Sequence, residues 1–146
     1  MRHIVTHSPD ETVRLGLSLG REYVKPGVVI TVRGELGAGK THLVKGIAQA
    51  LGIDKRELTS PTYALVNEYE CMVGGKPFTL FHLDCYRFEK PEELIELGIE
   101  DYLYPHRAAT IIEWPERIEQ FIPEGIIDVR ISIVSETERA IAIIQL

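Results

Sequence analysis

A glycine-rich turn followed by lysine and threonine contains the residues of this sequence that point most directly to chemistry. The segment reads Gly34-Glu35-Leu36-Gly37-Ala38-Gly39-Lys40-Thr41 and fits the pattern G-x-x-x-x-G-K-[ST] at every required position. Glycines let the chain curl so tightly that successive backbone N–H groups can point at one anion. The lysine ammonium can reach the outer phosphates of a nucleotide, and the threonine hydroxyl can ligate Mg²⁺. The segment therefore predicts a nucleotide-binding loop.

Two acidic residues follow hydrophobic runs and are candidates for handling a metal ion and a water molecule. Asp84 follows the run Phe-His-Leu, and Glu113 follows Ile-Ile. In open α/β sheets, ligands bind beyond the carboxyl ends of the strands. We therefore expect Asp84 to hold Mg²⁺ beside the phosphates. Glu113 can position or deprotonate the attacking water, or serve as a second magnesium contact, although strands also commonly end in polar residues for no catalytic reason.

Two other segments carry polar residues whose role can be structural. Pro61 keeps Ser60 extended, and Thr62 can either sense the γ-phosphate or its metal, or merely stabilise a turn. Glu11 lies three residues after Ser8, which is the spacing of a helix capping box.

The elements that must position these residues alternate between strands and helices. The β-branched, apolar run 28–32 before the glycine-rich turn is typical of a strand covered on both faces. A first helix begins after Ser8, ends near 25–27 and should bury Val13, Leu17 and Val24. The other predicted strands are 4–6, 63–70, 78–83, 108–112, 127–133 and 139–146, and the other predicted helices are 40–51, 91–97 and 115–121.

This order predicts an α/β fold, a P-loop NTPase-like three-layer sandwich with helices on both faces of a mostly parallel sheet of five to seven strands. The last two strands should form an antiparallel hairpin at the sheet edge. We expect residues 1–146 to form one domain, since no repeat or linker interrupts them.

Composition and net charge exclude some classes of protein. With 45% hydrophobic and 26% charged residues, the chain is typical of a globular protein, and its net charge of −6 disfavours direct, strong binding to nucleic acid. Its two cysteines do not suggest a disulfide framework. Without a signal-like or membrane-spanning stretch, the sequence predicts a cytoplasmic protein with no membrane association.

Five segments, taken together and in order, resemble the TsaE (YjeE-type) family of small bacterial P-loop ATPases. They are 34–41, 60–63 (S-P-T-Y), 82–87 (containing L-D-x-Y-R), 91–98 and 113–115 (E-W-P). The resemblance implies an ATP-binding and ATP-hydrolysing subunit. It also implies that this subunit is required with TsaD and TsaB to form N6-threonylcarbamoyladenosine at position 37 of tRNAs that read codons beginning with A. Such a subunit meets tRNA only through the complex.

The resemblance also assigns roles to residues. It implies that Lys40 and Thr41 hold the phosphates of ATP or ADP and Mg²⁺. Asp84 and Glu113 are then the magnesium-binding and catalytic acids, and Thr62 is the switch residue.

Two further positions concern the rest of the nucleotide. The resemblance implies that the stretch around Glu11 borders the adenine. His42 stands where family members often have a second hydroxyl residue. If that hydroxyl assists binding of the α-phosphate, an imidazole N–H of His42 must replace it.

Two other functions use the same kind of loop. A small-molecule kinase usually needs an arginine-rich lid, for which only Arg87 and Arg107 are candidates near the site. A GTP switch normally reads guanine through an [NT]-K-x-D segment, which this sequence lacks. The kinase therefore remains the alternative to the ATPase subunit.

Overall fold

The computed structural model describes residues 1–54, 56–58 and 66–146. Ser60, Pro61 and Thr62 lie outside the described residues, as do the first residues of the strand predicted at 63–70. The strands are β1 Arg2–Thr6, β2 Val29–Arg33, β3 Val66–Val73, β4 Lys76–Asp84, β5 Ala108–Glu113, β6 Ile127–Ile133 and β7 Arg139–Gln145. The helices are α1 Pro9–Tyr23, α2 Lys40–Ala50, α3 Pro91–Glu96 and α4 Glu100–Leu103, with a 3₁₀ helix at Pro115–Phe121.

The strands form one sheet in the order β1-β7-β6-β2-β5-β4-β3. The centre is parallel, because β2 pairs with both β5 and β6, and β4 pairs with β5 in the same sense. Antiparallel strands flank this centre, β3 on one side and β7 on the other. The predicted α/β class with a largely parallel sheet is confirmed.

The predicted position of the terminal hairpin needs a correction. β6 and β7 do form an antiparallel hairpin, but β7 is not the edge strand, because β1 pairs with its outer side in the register Ile4↔Ile141. The outer backbone groups of β7 are therefore bonded to β1 instead of water. The edges of the sheet are β1 and β3, and β3 belongs to a second hairpin with β4 that turns at Gly74 and Gly75.

The sheet lies between two hydrophobic clusters, which accounts for the continuous apolar character of its central strands. Ile30 and Val32 on β2 belong to the cluster that contains α1 and α2, whereas Val29 belongs to the cluster that contains α3, α4 and the 3₁₀ helix. Side chains alternate across a strand, so a strand buried on both faces is mostly apolar along its whole length. The three-layer arrangement is confirmed.

The prediction for the buried face of α1 is correct only in part, since Val24 packs against the core but is not fully buried. Val13, Leu17 and Val24 are only half-buried. The helix instead packs against α2 through glycines, since a Cβ on Gly46 would lie 2.0 Å from the carbonyl oxygen of Val13. Such a contact requires that the two helix backbones approach closely, which is possible only where side chains are missing. The packing face of α1 is therefore set by glycines, and hydrophobic periodicity does not detect glycines. The buried residues of α1 are Thr12, Leu15, Gly16, Leu19 and Gly20.

The helix ends follow local signals in part. The Ser8 hydroxyl accepts a hydrogen bond from the Glu11 N–H at 3.1 Å and caps α1 as predicted. Gly52 ends α2 in the left-handed conformation with φ +75°. The predicted helix at 115–121 is a 3₁₀ helix with a kink at Ile118. The predicted helix at 91–97 corresponds to α3, which has six residues, and Gly98 separates it from α4, which was not predicted. In the described part of the chain, no helix is both long and apolar enough to cross a membrane.

A buried carboxylate ties the 3₁₀ helix to the centre of the sheet. Asp128 on β6 accepts hydrogen bonds from the Thr31 hydroxyl at 2.5 Å and from Nε of Arg33 and of Arg130 at 2.8 Å each. Arg33 continues to both oxygens of Glu119 in the 3₁₀ helix at 2.9 Å. Burial alone would raise the pKa of Asp128, but its hydrogen bonds outweigh that effect and lower the pKa.

Candidate active site

The glycine-rich loop connects β2 to α2 and leaves the first turn of that helix open. Gly37 and Gly39 have φ of +81° and +103°, which non-glycine residues rarely adopt. Gly39 occupies the N-cap of α2, and no described side chain makes a capping hydrogen bond there. The N–H groups of the first helical turn therefore have free hydrogen-bonding capacity at the positive end of the helix dipole, which is an arrangement that binds anions.

Lys40 lies beneath this loop with 6% of its surface exposed. Its Nζ donates to the carbonyl oxygens of Gly34 and, at 3.0 Å, of Glu35, and it lies 4.1 Å from the centroid of the Trp114 ring. Burial lowers the pKa of Lys40, while the nearby carboxylates, Glu113 first among them, act in the opposite direction. The lysine thus occupies a sheltered position between the loop and the acidic residues.

Asp84 and Glu113 are directly opposite each other on the parallel strands β4 and β5. Asp84 is half-buried and accepts a hydrogen bond from the Tyr86 N–H at 3.0 Å, whereas Glu113 is 6% exposed. Burial, and to a lesser extent the charge of Glu113, raise the pKa of Asp84, although the Tyr86 N–H works against this. A cation between two such carboxylates would relieve both their desolvation and their repulsion.

A cavity of about 450 Å³ joins these groups, a volume within the range of small-molecule sites. The Gly34 and Glu35 carbonyls bind Lys40 rather than lining the cavity. The residues expected from the sequence that line the cavity are Leu36, Gly37, Ala38, Gly39, Lys40, Thr41, His42, Asp84 and Glu113.

The other predicted nucleotide contacts have different surroundings. Glu11 accepts a hydrogen bond from the His7 N–H at 2.6 Å. The cavity wall near the start of α1 is formed by His7, Ser8 and neighbouring residues other than Glu11. Thr62 falls in the part of the chain that the structure does not describe.

Arg139 is a site residue that the sequence did not predict. From the start of β7, its Nε donates to the Ala38 carbonyl at 3.1 Å and its Nη2 donates to the Gly37 carbonyl at 3.2 Å. Its Nη1 donates to the Ser135 and Glu138 carbonyls at 2.9 and 3.0 Å. The guanidinium thereby joins the phosphate loop to the β6–β7 turn. An arginine about a hundred residues from the loop, outside any motif, gives no local signal of this role.

Trp114 lines the cavity as well, and His82 lies beside it in contact with Glu113. Trp114 has the left-handed φ of 57° and packs on Tyr86 with ring centroids 4.9 Å apart. His82 Nε2 lies 2.5 Å from Glu113 Oε2. Strand alternation was a usable signal for His82, because residues 82 and 84 of β4 point to the same face of the sheet.

The donor set fits a magnesium nucleotide better than a resident metal ion. Among the described residues, no group of three or more His, Cys, Asp or Glu side chains could hold a metal. Thr41, Asp84 and Glu113 border one cavity with the phosphate loop. Because Mg²⁺ requires octahedral oxygen coordination and keeps several waters, these few groups suit an ion bound jointly with phosphates.

Comparisons with known proteins identify the family. The sequence model of the family described as "Threonylcarbamoyl adenosine biosynthesis protein TsaE" matches residues 6–141. Proteins called tRNA threonylcarbamoyladenosine biosynthesis protein TsaE are 34% identical in Treponema pallidum, over 95% of this chain and 97% of that protein, and 36% identical in Bacillus subtilis, over 93% and 80%. A third, from Nostoc sp., is 39% identical over 95% and 83%.

A solved structure shows the same fold. The crystal structure of YdiB from Bacillus subtilis superposes with a TM-score of 0.76 at 30% identity, covering 97% of this chain and 83% of that one. The resemblance seen in the motifs is thus confirmed over nearly the whole length. The chain belongs to the TsaE family.

Proposed function

We propose that this chain is the Mg²⁺-dependent ATPase subunit that works with TsaD and TsaB type proteins to form N6-threonylcarbamoyladenosine at position 37 of tRNAs reading codons that begin with A. Its family membership supports the pathway. The observation that carries the ATPase assignment is the convergence of Lys40, Asp84 and Glu113 on one cavity beside the phosphate loop. ATP is preferred to GTP because the sequence has no [NT]-K-x-D segment.

Nucleotide binding is assigned to the loop and the first turn of α2. The N–H groups around Gly37 and Gly39 and the helix N-terminus bind the phosphates, and Lys40 adds its positive charge. Lys40 is held by loop carbonyls, which can be exchanged for phosphate oxygens without moving the charge into bulk water. The exchange matters because a buried ammonium needs an acceptor for each of its N–H groups.

Mg²⁺ would be held by the Thr41 hydroxyl and by the carboxylates of Asp84 and Glu113, together with phosphate oxygens. When bound, it supplies positive charge to the transferring phosphoryl group. Glu113 also orients the attacking water or accepts its proton, since its buried carboxylate lines the cavity directly beside Lys40. Lys40 stabilises negative charge as the bond to the leaving phosphate breaks.

The charge of the chain supports an indirect encounter with tRNA. A net charge of −6 opposes the phosphate backbone of nucleic acid, so contact with tRNA is assigned to the complex and not to this subunit alone.

We place the protein in the cytoplasm, as one domain. Of the two arginines that the kinase alternative needs, Arg107 immediately precedes β5 and so lies at the far end of that strand from Glu113.

Two variants, a phosphate-release assay and a pathway assay test the proposal. Lys40→Ala should abolish detectable ATP binding by calorimetry. Glu113→Ala should keep ADP binding and lower kcat by about 10²–10³-fold, the usual loss when one group that stabilises the transition state is removed. Phosphate release must occur without any acceptor and rise when TsaD and TsaB are added. Unchanged threonylcarbamoyladenosine in tRNA from cells lacking the protein would refute the pathway role, and strict dependence on a small-molecule acceptor would favour the kinase.

A further inference from the structure

A buried histidine, His82, is hydrogen-bonded to Glu113, the acid that we propose orients or deprotonates the attacking water. His82 Nε2 and Glu113 Oε2 are 2.5 Å apart, and the two side chains are 7% and 8% exposed. His82 lies on β4 two residues before Asp84, and Glu113 is the cross-strand neighbour of Asp84. Three polar side chains thus stand together on the face of the sheet that carries α2.

With Glu113 ionised, the rules for hydrogen-bond donors and acceptors give the direction of this bond. An ionised carboxylate only accepts hydrogen bonds, so His82 Nε2 must be the donor in this pair. The other ring nitrogen, Nδ1, is buried and has no hydrogen-bond partner among the described residues. A second N–H at that atom would be a buried donor without an acceptor, which is unfavourable. A ring hydrogen on Nε2 therefore satisfies the contact with Glu113.

Within the described residues, each of the two acids is held by one hydrogen-bond donor. Asp84 is short and is held by the backbone N–H of Tyr86 at 3.0 Å. Glu113 has an additional rotatable bond, and its bond to His82 selects one orientation from several. A hydrogen bond to Oε2 leaves Oε1 to act on water or a cation.

We propose that His82 is a positioning residue, which fixes the Glu113 carboxylate in its working orientation and does not itself touch nucleotide. His82 does not line the cavity, whereas Glu113 does. The inference rests on the proposed function for the role of Glu113, but the pairing and the tautomer stand independently of it.

Three variants separate positioning from other roles. His82→Leu removes the donor, and His82→Gln restores an N–H at similar reach. His106→Leu is the matched control, because this exposed histidine precedes the first residue of β5, whereas Glu113 is the last residue of that strand. In phosphate-release assays with TsaD and TsaB, His82→Leu should lower kcat by about 10–100-fold, the range for groups that orient a metal ligand or catalytic acid, with KM little changed. His82→Gln should recover most of that loss, and the control should match wild type.

A double variant tests whether His82 acts through Glu113. Adding His82→Leu to Glu113→Ala should cause no further fall in kcat, because the group to be positioned is already gone. An equal fall in both backgrounds would overturn the proposal, as would a wild-type kcat in His82→Leu. If His82→Leu does not fold, His82→Gln still tests the proposal, because a fall in kcat beyond a few-fold in a variant that keeps the donor would overturn it.

Nuclear magnetic resonance gives a readout that needs no turnover. Long-range ¹H–¹⁵N correlations of the free protein should show His82 with Nε2 protonated and Nδ1 bare, and Glu113→Ala should shift both nitrogens. The opposite tautomer would overturn the positioning role even in an active protein. If wild type releases no phosphate but shows this tautomer and its dependence on Glu113, the proposed function fails while the pairing holds.

Discussion

Replacing Arg139 by alanine should weaken nucleotide binding although no motif contains this residue. Its hydrogen bonds hold the carbonyls of Gly37 and Ala38. In a trans peptide the C=O and N–H point in opposite directions. Holding the Ala38 carbonyl therefore aims the Gly39 N–H to the other side, where the phosphates bind, while the Ala38 N–H donates to the Glu35 carbonyl at 3.1 Å and closes the turn.

The size of the effect follows from the bonds lost. Each hydrogen bond of this kind contributes a net of about 0.5–1.5 kcal/mol, so the two bonds to the loop contribute about 1–3 kcal/mol to its preformed shape. Without them, binding must supply that ordering energy. Since 1.4 kcal/mol is tenfold in affinity, Arg139→Ala should raise the Kd for Mg²⁺–ADP by about 5–150-fold.

Calorimetry measures this directly, and fluorescence gives a second readout. Trp114 is the single tryptophan of the chain and its ring lies 4.1 Å from Lys40 Nζ, so its emission reports on this site. Arg139→Lys keeps the charge but not the planar fork of donors, and it should show an intermediate Kd. Arg14→Ala, on the exposed side of α1, is the control for loss of an arginine charge.

Two results would refute this reasoning. A Kd within twofold of wild type for Arg139→Ala would mean that the loop keeps its shape without the guanidinium. Wild-type affinity in Arg139→Lys together with weak binding in Arg139→Ala would mean that the charge acts directly on the phosphates and not through the loop.

Two further predictions concern the packing that supports the site. Gly46→Ala should lower the free energy of unfolding by about 3 kcal/mol in urea titrations, because its new methyl would lie 2.0 Å from the Val13 carbonyl oxygen; wild-type stability would show that α1 can move off α2 freely. Asp128→Ala should lower the free energy of unfolding by about 2–4 kcal/mol at pH 7, since it leaves Arg33 and Arg130 without their buried acceptor. The folded-state pKa of Asp128 lies below its ordinary value of 3.8, so its stabilisation is present above that pH and is lost as the pH falls through the folded pKa; a gap between variant and wild type that widens on acidification would contradict this.

The parts of the site that could be predicted are those fixed by local spacing or by the common direction of parallel strands. The phosphate loop is a contiguous pattern between a strand and a helix. Asp84 and Glu113 come together because each ends a strand of the same direction, and their alignment in neighbouring strands follows from the register of β4 and β5. The same rule would have placed His82 beside them, had the alternation along β4 been followed one step back.

Other features depend on contacts that leave no local trace. Arg139 reaches the loop from the far end of the chain. The packing face of α1 is set by the missing side chains of Gly16 and Gly46, whereas hydrophobic periodicity points to Val13 and Leu17. The edge of the sheet depends on β1 pairing with β7, a choice between distant segments that neither segment encodes alone.

The strand order has a consequence for the synthesis of this protein. β2 lies between β5 and β6, so both partners of the strand that precedes the phosphate loop are translated later, between residues 108 and 133. Within the described residues β1 is hydrogen-bonded to β7, so the first two strands have no early partner. Pairings so distant in sequence must close large loops before they gain any hydrogen bonds, which slows folding. A nascent chain on the ribosome therefore acquires its anion-binding loop only after most of its length has been released.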